Sequence, residues 1–243
     1  MDADLTLATR NAAAFWTALA TSRGHSVLER PGFLAVEGAP IGLRAMLLTA
    51  NPSPGDLAEL TGLARGRADR KVVVEDSFST VDVAGLGFSP RQLPVMVRKP
   101  GPAPASPSPP DVFRVTDRDQ LAIAERIIMD GFTLAAFQPY QPGRAFPDGL
   151  LEHAGADLFV LTREGVPAGA CVTFFDGTAG GAYWVTTLPE HRSHGVGRAL
   201  THAVLDHFAD VPVTLSASKP GKPLYDSLGF DTLNLANWWT PTA

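Results

Sequence analysis

The 243-residue sequence is poor in several features that would each commit it to a class of protein. Its single cysteine, Cys171, excludes an internal disulfide and with it a small secreted scaffold held by bridges. No apolar run approaches the roughly 20 residues that a membrane-spanning helix requires, and the opening MDADLTLATR has neither the basic start nor the apolar core of a secretory signal. A soluble, cytoplasmic protein is expected. Positive charge is also scarce: 20 lysines and arginines face 25 aspartates and glutamates, for a formal net charge of -5. The broad electropositive surface that duplex nucleic acid or anionic lipid demands is absent, so neither is an expected partner. His191, His194, His202 and His207 lie close in sequence but in no ligand spacing. His202 and His207 are five apart in a predicted helix and diverge by about 140° at 3.6 residues per turn, so no metal is expected.

What is present is an ordinary globular composition, 45% hydrophobic and 19% charged, sufficient for a real core. The clearest boundary is the segment 100–110, PGPAPASPSPP, where six of eleven residues are proline. Fixed φ angles and missing amide donors forbid helix or central strand there, so it reads as a stiff, extended linker. It divides residues 1–99 from residues 111–243.

In the second half, Val112 to Val115 reads as a strand, and Thr116 with Asp119 as a capping box for a helix running to about Met129. Leu134 to Leu150, rich in proline and glycine, reads as an irregular surface loop. Three strands joined by tight turns follow, Asp157 to Thr162, Ala168 to Phe175 and Gly181 to Thr187. Val196, Ala199, Leu200, Ala203, Val204 and Phe208 then recur at three- and four-residue steps, predicting an amphipathic helix from about Gly195 to Phe208. A strand at Val213 to Leu215, a short helix at Pro223 to Leu228 and a strand-like stretch from Phe230 to Thr240 complete the order.

Between the strand ending at Thr187 and the helix starting near Gly195 lies PEHRSHGVGRA, a glycine-bearing turn feeding a helix. Unpaired amides and the positive dipole end of a helix bind anionic oxygens, and glycine lets the backbone approach a phosphate. A pyrophosphate suits this turn. The segment from Ser218 to Pro223 lacks the first glycine and the terminal Ser/Thr of a Walker loop, and no third glycine completes a dinucleotide fingerprint. Cys171 lies inside an apolar strand, where a small buried hydrophobe is expected rather than a nucleophile. Trp238-Trp239 suits core or a homodimer contact.

At these residues the sequence resembles the GNAT superfamily of acyl-coenzyme A dependent N-acetyltransferases, over about residues 111 to 243. The resemblance rests on Arg192-x-x-Gly195-x-Gly197 after a strand and on Leu224-Tyr225-x-x-Leu228-Gly229-Phe230 thirty residues later. It implies an α+β fold with a mixed, mostly antiparallel central sheet flanked by helices. It also implies acetyl-coenzyme A as co-substrate. Arg192, Ser193, His194, Gly195, Val196, Gly197 and Arg198 would hold the pyrophosphate, and the backbone of Val185, Thr186 and Thr187 the pantetheine arm. Ser218 stands where many members carry asparagine. Tyr225 would protonate the departing thiolate after direct attack by an amine in a ternary complex. No carboxylate lies in the strand before the loop, so the expected base is an ordered water, with Asp176, Glu190 or a residue of the 134–150 loop as weaker candidates. A non-catalytic acyl-coenzyme A sensor and a protein-interaction scaffold are the rival readings. The acceptor, a small amine or a protein N-terminus, is open.

Residues 1–99 repeat the layout: a helix from about Thr9 to Ser22, strands near Phe33 to Glu37 and Ile41 to Thr49, a helix near Asp56 to Ala64, a strand at Lys71 to Glu75, and Leu86-Gly87-Phe88 paralleling Leu228-Gly229-Phe230. The expected duplication is degenerate, because Asn51-Pro52-Ser53-Pro54 replaces the glycine turn and Val83 stands where the tyrosine would be.

Overall fold

The computed structural model describes residues 3–67, 71–102, 104, 111–132 and 134–242. Residues 103 and 105–110, most of the expected linker, lie outside them.

The first half runs α1 (Ala3–Ser22), β1 (Ser26–Glu29), β2 (Phe33–Gly38), β3 (Gly42–Leu47), α2 (Pro54–Arg65), β4 (Val72–Asp76) and β5 (Phe88–Arg98). The second runs β6 (Asp111–Arg114), α3 (Arg118–Gly131), β7 (Ala156–Arg163), β8 (Val166–Phe175), β9 (Gly180–Thr187), α4 (Val196–His207), β10 (Val213–Ser216), α5 (Lys222–Ser227) and β11 (Asp231–Pro241). All eleven strands form one sheet, in the order β1-β2-β3-β4-β11-β5-β10-β9-β8-β7-β6. Neighbours are antiparallel except β3 with β4 and β9 with β10.

The halves exchange their last strands. β5 lies against β10 of the second half, and β11 fills the place between β4 and β5. The division that composition marks at residue 100 is therefore crossed in the sheet. Packing is knitted in the same way: Met96 of β5 joins the core beneath α4 with Leu200, Leu215 and Phe230, while Ala236 and Trp239 of β11 join the core beneath α2 with Leu60 and Val74. A third core lies between α1 and α3, around Phe15, Leu19, Ile128, Phe146 and Val172.

Several boundaries differ from expectation. α3 is capped by Asp117, whose side chain accepts the Gln120 amide at 2.9 Å, rather than by Thr116. The Thr116 amide instead donates to the Gln120 side chain, which pulls Thr116 one residue back from the cap position. β1 has mixed, mostly exposed residues and no alternation for a pattern search to find, and α1 starts six residues before Thr9. The turn glycines of the two halves adopt the same left-handed conformation, φ 80° at Gly87 and 81° at Gly229. Among the described residues no helix is long and apolar enough to cross a membrane.

Candidate active site

The two parallel junctions of the sheet are built differently. In the first half Leu43 to Met46 pair with Val72 to Glu75, so β3 and β4 stay together almost to their ends. In the second half only Gly180 and Gly181 pair with Val213 and Thr214, although β9 continues to Thr187 and β10 to Ser216. The strands separate and leave a V-shaped opening. Gly181 is required at its apex, since a Cβ there would stand 2.0 Å from the side-chain oxygen of Asn11.

β9 carries one extra residue opposite β8. Ala170 pairs with Thr186 and Val172 with Tyr183, so Trp184 and Val185 together oppose Cys171. Such a bulge bends the strand and re-aims its backbone groups. Trp184 sits at φ 48°, a left-handed conformation that costs a bulky residue about 1–3 kcal/mol and persists only where packing imposes it. The Leu188 amide donates to Ala168 at 3.0 Å, which fixes the alternation. Thr186 then faces β8, and the backbone groups of Val185 and Thr187 face the opening. The Thr186 hydroxyl is turned inward too, donating to the Trp184 carbonyl at 2.6 Å.

The loop after β9 makes a single 3-10 turn over Pro189–His191 and then exposes Arg192, Ser193, His194 and Gly195. Ser193 (φ 62°) and Gly195 (φ 79°) are both left-handed, and Gly195 is the N-cap of α4 with no capping side chain. No acceptor among the described residues takes the amides from Ser193 to Arg198, the groups a helix start leaves unpaired. A Cβ at Gly195 would meet nothing within 4 Å, so the turn is open to solvent. The equivalent helix start in the first half is closed: Ser53 and Asp56 cap each other reciprocally, with Pro54 in the first turn. Side chains there fill the role that a ligand would have.

α5 closes the opening from the α4 side. The Arg198 guanidinium donates to the Ser227 hydroxyl at 2.8 Å, and a Cβ at Gly197 would lie 3.3 Å from Leu224 and 3.6 Å from the Thr187 hydroxyl. The end of β9, the first turn of α4 and α5 thus meet. Tyr225 of α5 is 8% exposed, its ring tilted edge-on to Phe230 with centroids 5.6 Å apart, and its hydroxyl has no hydrogen-bond partner among the described residues. Burial, and then the adjoining Cys171 thiol, push its pKa well above the ordinary phenol value, so it is a protonated donor. Burial likewise pushes the Cys171 thiol up to about 12, against a small opposing effect of a hydrogen bond with the Phe159 backbone. A neutral, fully buried thiol is no nucleophile. Ser218, at the end of β10, accepts the Gly221 amide at 3.1 Å and serves the turn into α5.

The base candidates are scattered. Asp176 lies in the turn before β9, at the far end from the opening. Burial raises its pKa, but hydrogen bonds from the Thr178 hydroxyl and the Thr178 and Ala179 amides outweigh this and hold it below its usual value. Glu190 is exposed, and Asp148, in the 134–150 segment, pairs with Arg118. The histidines are dispersed as well: His207 pairs with Asp157, His194 contacts the Arg192 carbonyl, and among the described residues no group of three His, Cys, Asp or Glu is placed to hold a metal.

The structure adds residues that pattern reading missed. Glu125 of α3 is completely buried, and its carboxylate accepts the amides of Gly143, Ala145 and Phe146 and the Tyr140 hydroxyl at 2.6 to 3.1 Å. The segment 140–146 is therefore pinned rather than loose. A signal existed: Glu125 falls on the apolar stripe of its helix with Leu121 and Ile128. Earlier in the same loop, Ala135 and Ala136 line a cleft of about 620 Å³ together with Ile41, Val72 and Thr240, so its walls come from both halves. Trp239 is a core residue at 5% exposure, whereas the Trp238 ring faces the buried guanidinium of Arg44.

Residues 154–232 match the model of the acetyltransferase (GNAT) domain. No curated protein matches the chain in sequence. Among solved structures, a GCN5-related N-acetyltransferase from Kribbella flavida superposes with a TM-score of 0.68 at 18% identity, covering 97% of this chain and 96% of that one. One from Sphaerobacter thermophilus gives 0.52 at 19% identity, covering 90% and 77%. A tandem GNAT protein from the clavulanic acid biosynthesis pathway gives 0.56 at 16% identity, covering 89% and 83%. Residues 154–232 thus resemble a GNAT acetyltransferase domain, and the chain shares the fold of solved GCN5-related N-acetyltransferases.

Proposed function

We propose that the protein is an N-acetyltransferase that transfers the acetyl group of acetyl-coenzyme A to a primary amine, by direct attack within a ternary complex. The observation that carries this reading is the opening between β9 and β10, with the uncapped amides of α4 at its mouth. The co-substrate supplies a thioester, electrophilic at its carbonyl carbon and with sulfur as leaving atom.

The protein's own groups then have distinct tasks. The amides from Ser193 to Arg198 and the dipole of α4 suit a pyrophosphate. The outward backbone groups of Val185 and Thr187 suit an extended amide-bearing arm, and the re-aimed backbone at the bulge suits an oxyanion. The nitrogen of a neutral amine forms the new bond to carbon while the carbon–sulfur bond breaks. Tyr225 donates its proton to sulfur and recovers one from solvent, and the proton leaving nitrogen goes to water, since β9 itself carries no carboxylate. Residues 1–99 read as a degenerate GNAT-like domain, because their helix start is sealed by Ser53 and Asp56 and their parallel strands stay closed.

The test is release of free thiol from acetyl-coenzyme A by the full chain against a panel of small amines and peptide N-termini. Amine-dependent release supports the reading and names the acceptor class. Binding of acetyl-coenzyme A by calorimetry with no release from any amine would replace it with a non-catalytic acyl-coenzyme A sensor.

A further inference from the structure

Trp184 holds a left-handed φ of 48° in the middle of a strand, without being glycine. A large aromatic keeps such a conformation only where surrounding packing over-determines it. The packing comes from α1, in the first half. Phe15 stacks on Tyr183 with centroids 3.9 Å apart and meets Trp184 edge-on at 5.4 Å. Trp16 meets Trp184 at 5.3 Å with the rings at 86°, and Phe146 completes the enclosure at 5.3 Å. Asn11 holds the same strand and the residue before it: its side-chain oxygen accepts the Tyr183 hydroxyl at 2.6 Å, and its amide donates to the Ala179 carbonyl at 2.8 Å.

Trp16 is itself held from behind. The Arg44 guanidinium of β3 lies 3.8 Å from its ring centroid and is paired with Glu75 of β4. A rigid stack therefore runs from the closed parallel junction of the first half, through Trp16, to the bulge beside the open junction of the second. The residue after Trp184 is Val185, whose backbone faces the opening.

We infer that α1 of the first half sets the shape of the β9 bulge, with Trp16 as a positioning residue for the transfer reaction. This rests on the function proposed above. Loss of the indole lets Trp184 relax toward extended backbone and swings the Val185 amide away, whereas the amides at the start of α4, a separate element, keep their places.

The experiment compares Trp16→Ala and Trp16→Phe with Leu60→Ala in the full chain, Leu60 being a fully buried residue of the other core, under α2. For Trp16→Ala the expected results are a fall in kcat of about tenfold or more, acetyl-coenzyme A affinity within about threefold of the parent, and faster amide exchange at Thr186, which is paired with Ala170 of β8. Trp16→Phe restores most of the kcat. Leu60→Ala lowers Tm but leaves kcat and β9 exchange unchanged. Equal losses of kcat in Trp16→Ala and Leu60→Ala, or unchanged kcat and exchange in Trp16→Ala, would overturn the inference. If Trp16→Ala does not fold, Trp16→Leu takes its place under the same outcomes. Should the parent protein show no turnover, the proposed function fails and the exchange comparison alone decides the role of α1.

Discussion

The carboxylate of Glu125 accepts the Ala145 amide at 2.6 Å while the guanidinium of Arg23 donates to the carbonyl of that same residue at 2.8 Å. One peptide segment of the 134–150 loop is thus gripped on its donor side by α3 and on its acceptor side by Arg23, the residue that follows α1, which also lies over the Phe137 ring at 5.2 Å. An irregular stretch becomes a fixed wall because a buried charge supplies the acceptors its backbone lacks.

Glu125→Gln leaves one acceptor oxygen and places an amide donor against donors already in position. The expected loss is about 3 kcal/mol, from weakened bonds to a charged group and at least one unsatisfied amide. Urea denaturation measures it, and protease cleavage within 138–146 should become faster than in the parent. A stability loss under about 0.5 kcal/mol would show the clamp to be incidental.

Tyr225→Phe should lower kcat by about tenfold to a hundredfold with little change in acetyl-coenzyme A affinity. The pH dependence has a definite sign. Burial raises the pKa of the phenol above its ordinary 10.0, so the proton is retained as pH rises through neutrality. Loss of this acid contributes no falling limb to kcat below about pH 10. A falling limb centred between about pH 7 and 9 in the parent that disappears in Tyr225→Phe would contradict this assignment.

Gly195→Ala isolates the backbone requirement of the loop. Nothing lies within 4 Å of the new methyl, so the only folding cost is that of a left-handed alanine at φ 79°, about 1 kcal/mol. Affinity for acetyl-coenzyme A should fall by more than tenfold, because the methyl stands where a phosphate is proposed to approach and the strained turn is free to move away. Calorimetric affinity with thermal denaturation separates the two effects. An unchanged affinity places the pyrophosphate elsewhere.

The fragment 111–243 should not fold as a monomer. It loses β4 and β5, the two strands that flank β11, and with β5 the partner of β10 from Val95 to Arg98, so both edges of β11 and one edge of β10 are left unpaired. Circular dichroism and size-exclusion chromatography check this. A cooperative, monomeric fragment would show that the strand exchange is dispensable.

Much of the second half was legible because its signals are local. The 3.6-residue periodicity of α4, the turn residues between β7, β8 and β9, and the glycines before α4 each act over a few positions. The resemblance built on Arg192, Gly195, Gly197 and Tyr225 needed only their spacing. Glu125 was hidden in plain view, since a carboxylate on an apolar stripe announces burial but not its partners. Trp16 and Trp184 gave no signal, as aromatic residues in a helix and a strand read as ordinary core.

The sequence by itself determined the order of elements in the second half, the open turn at the head of α4 and the sealed one at Ser53, because backbone conformation and capping depend on near neighbours. Only the tertiary structure decided that β5 and β11 change places, that β9 parts from β10 after two residues, and that α1 reaches across to the bulge at Trp184. Those outcomes follow from long-range pairing and from side chains more than 160 positions apart packing together, which no local pattern encodes.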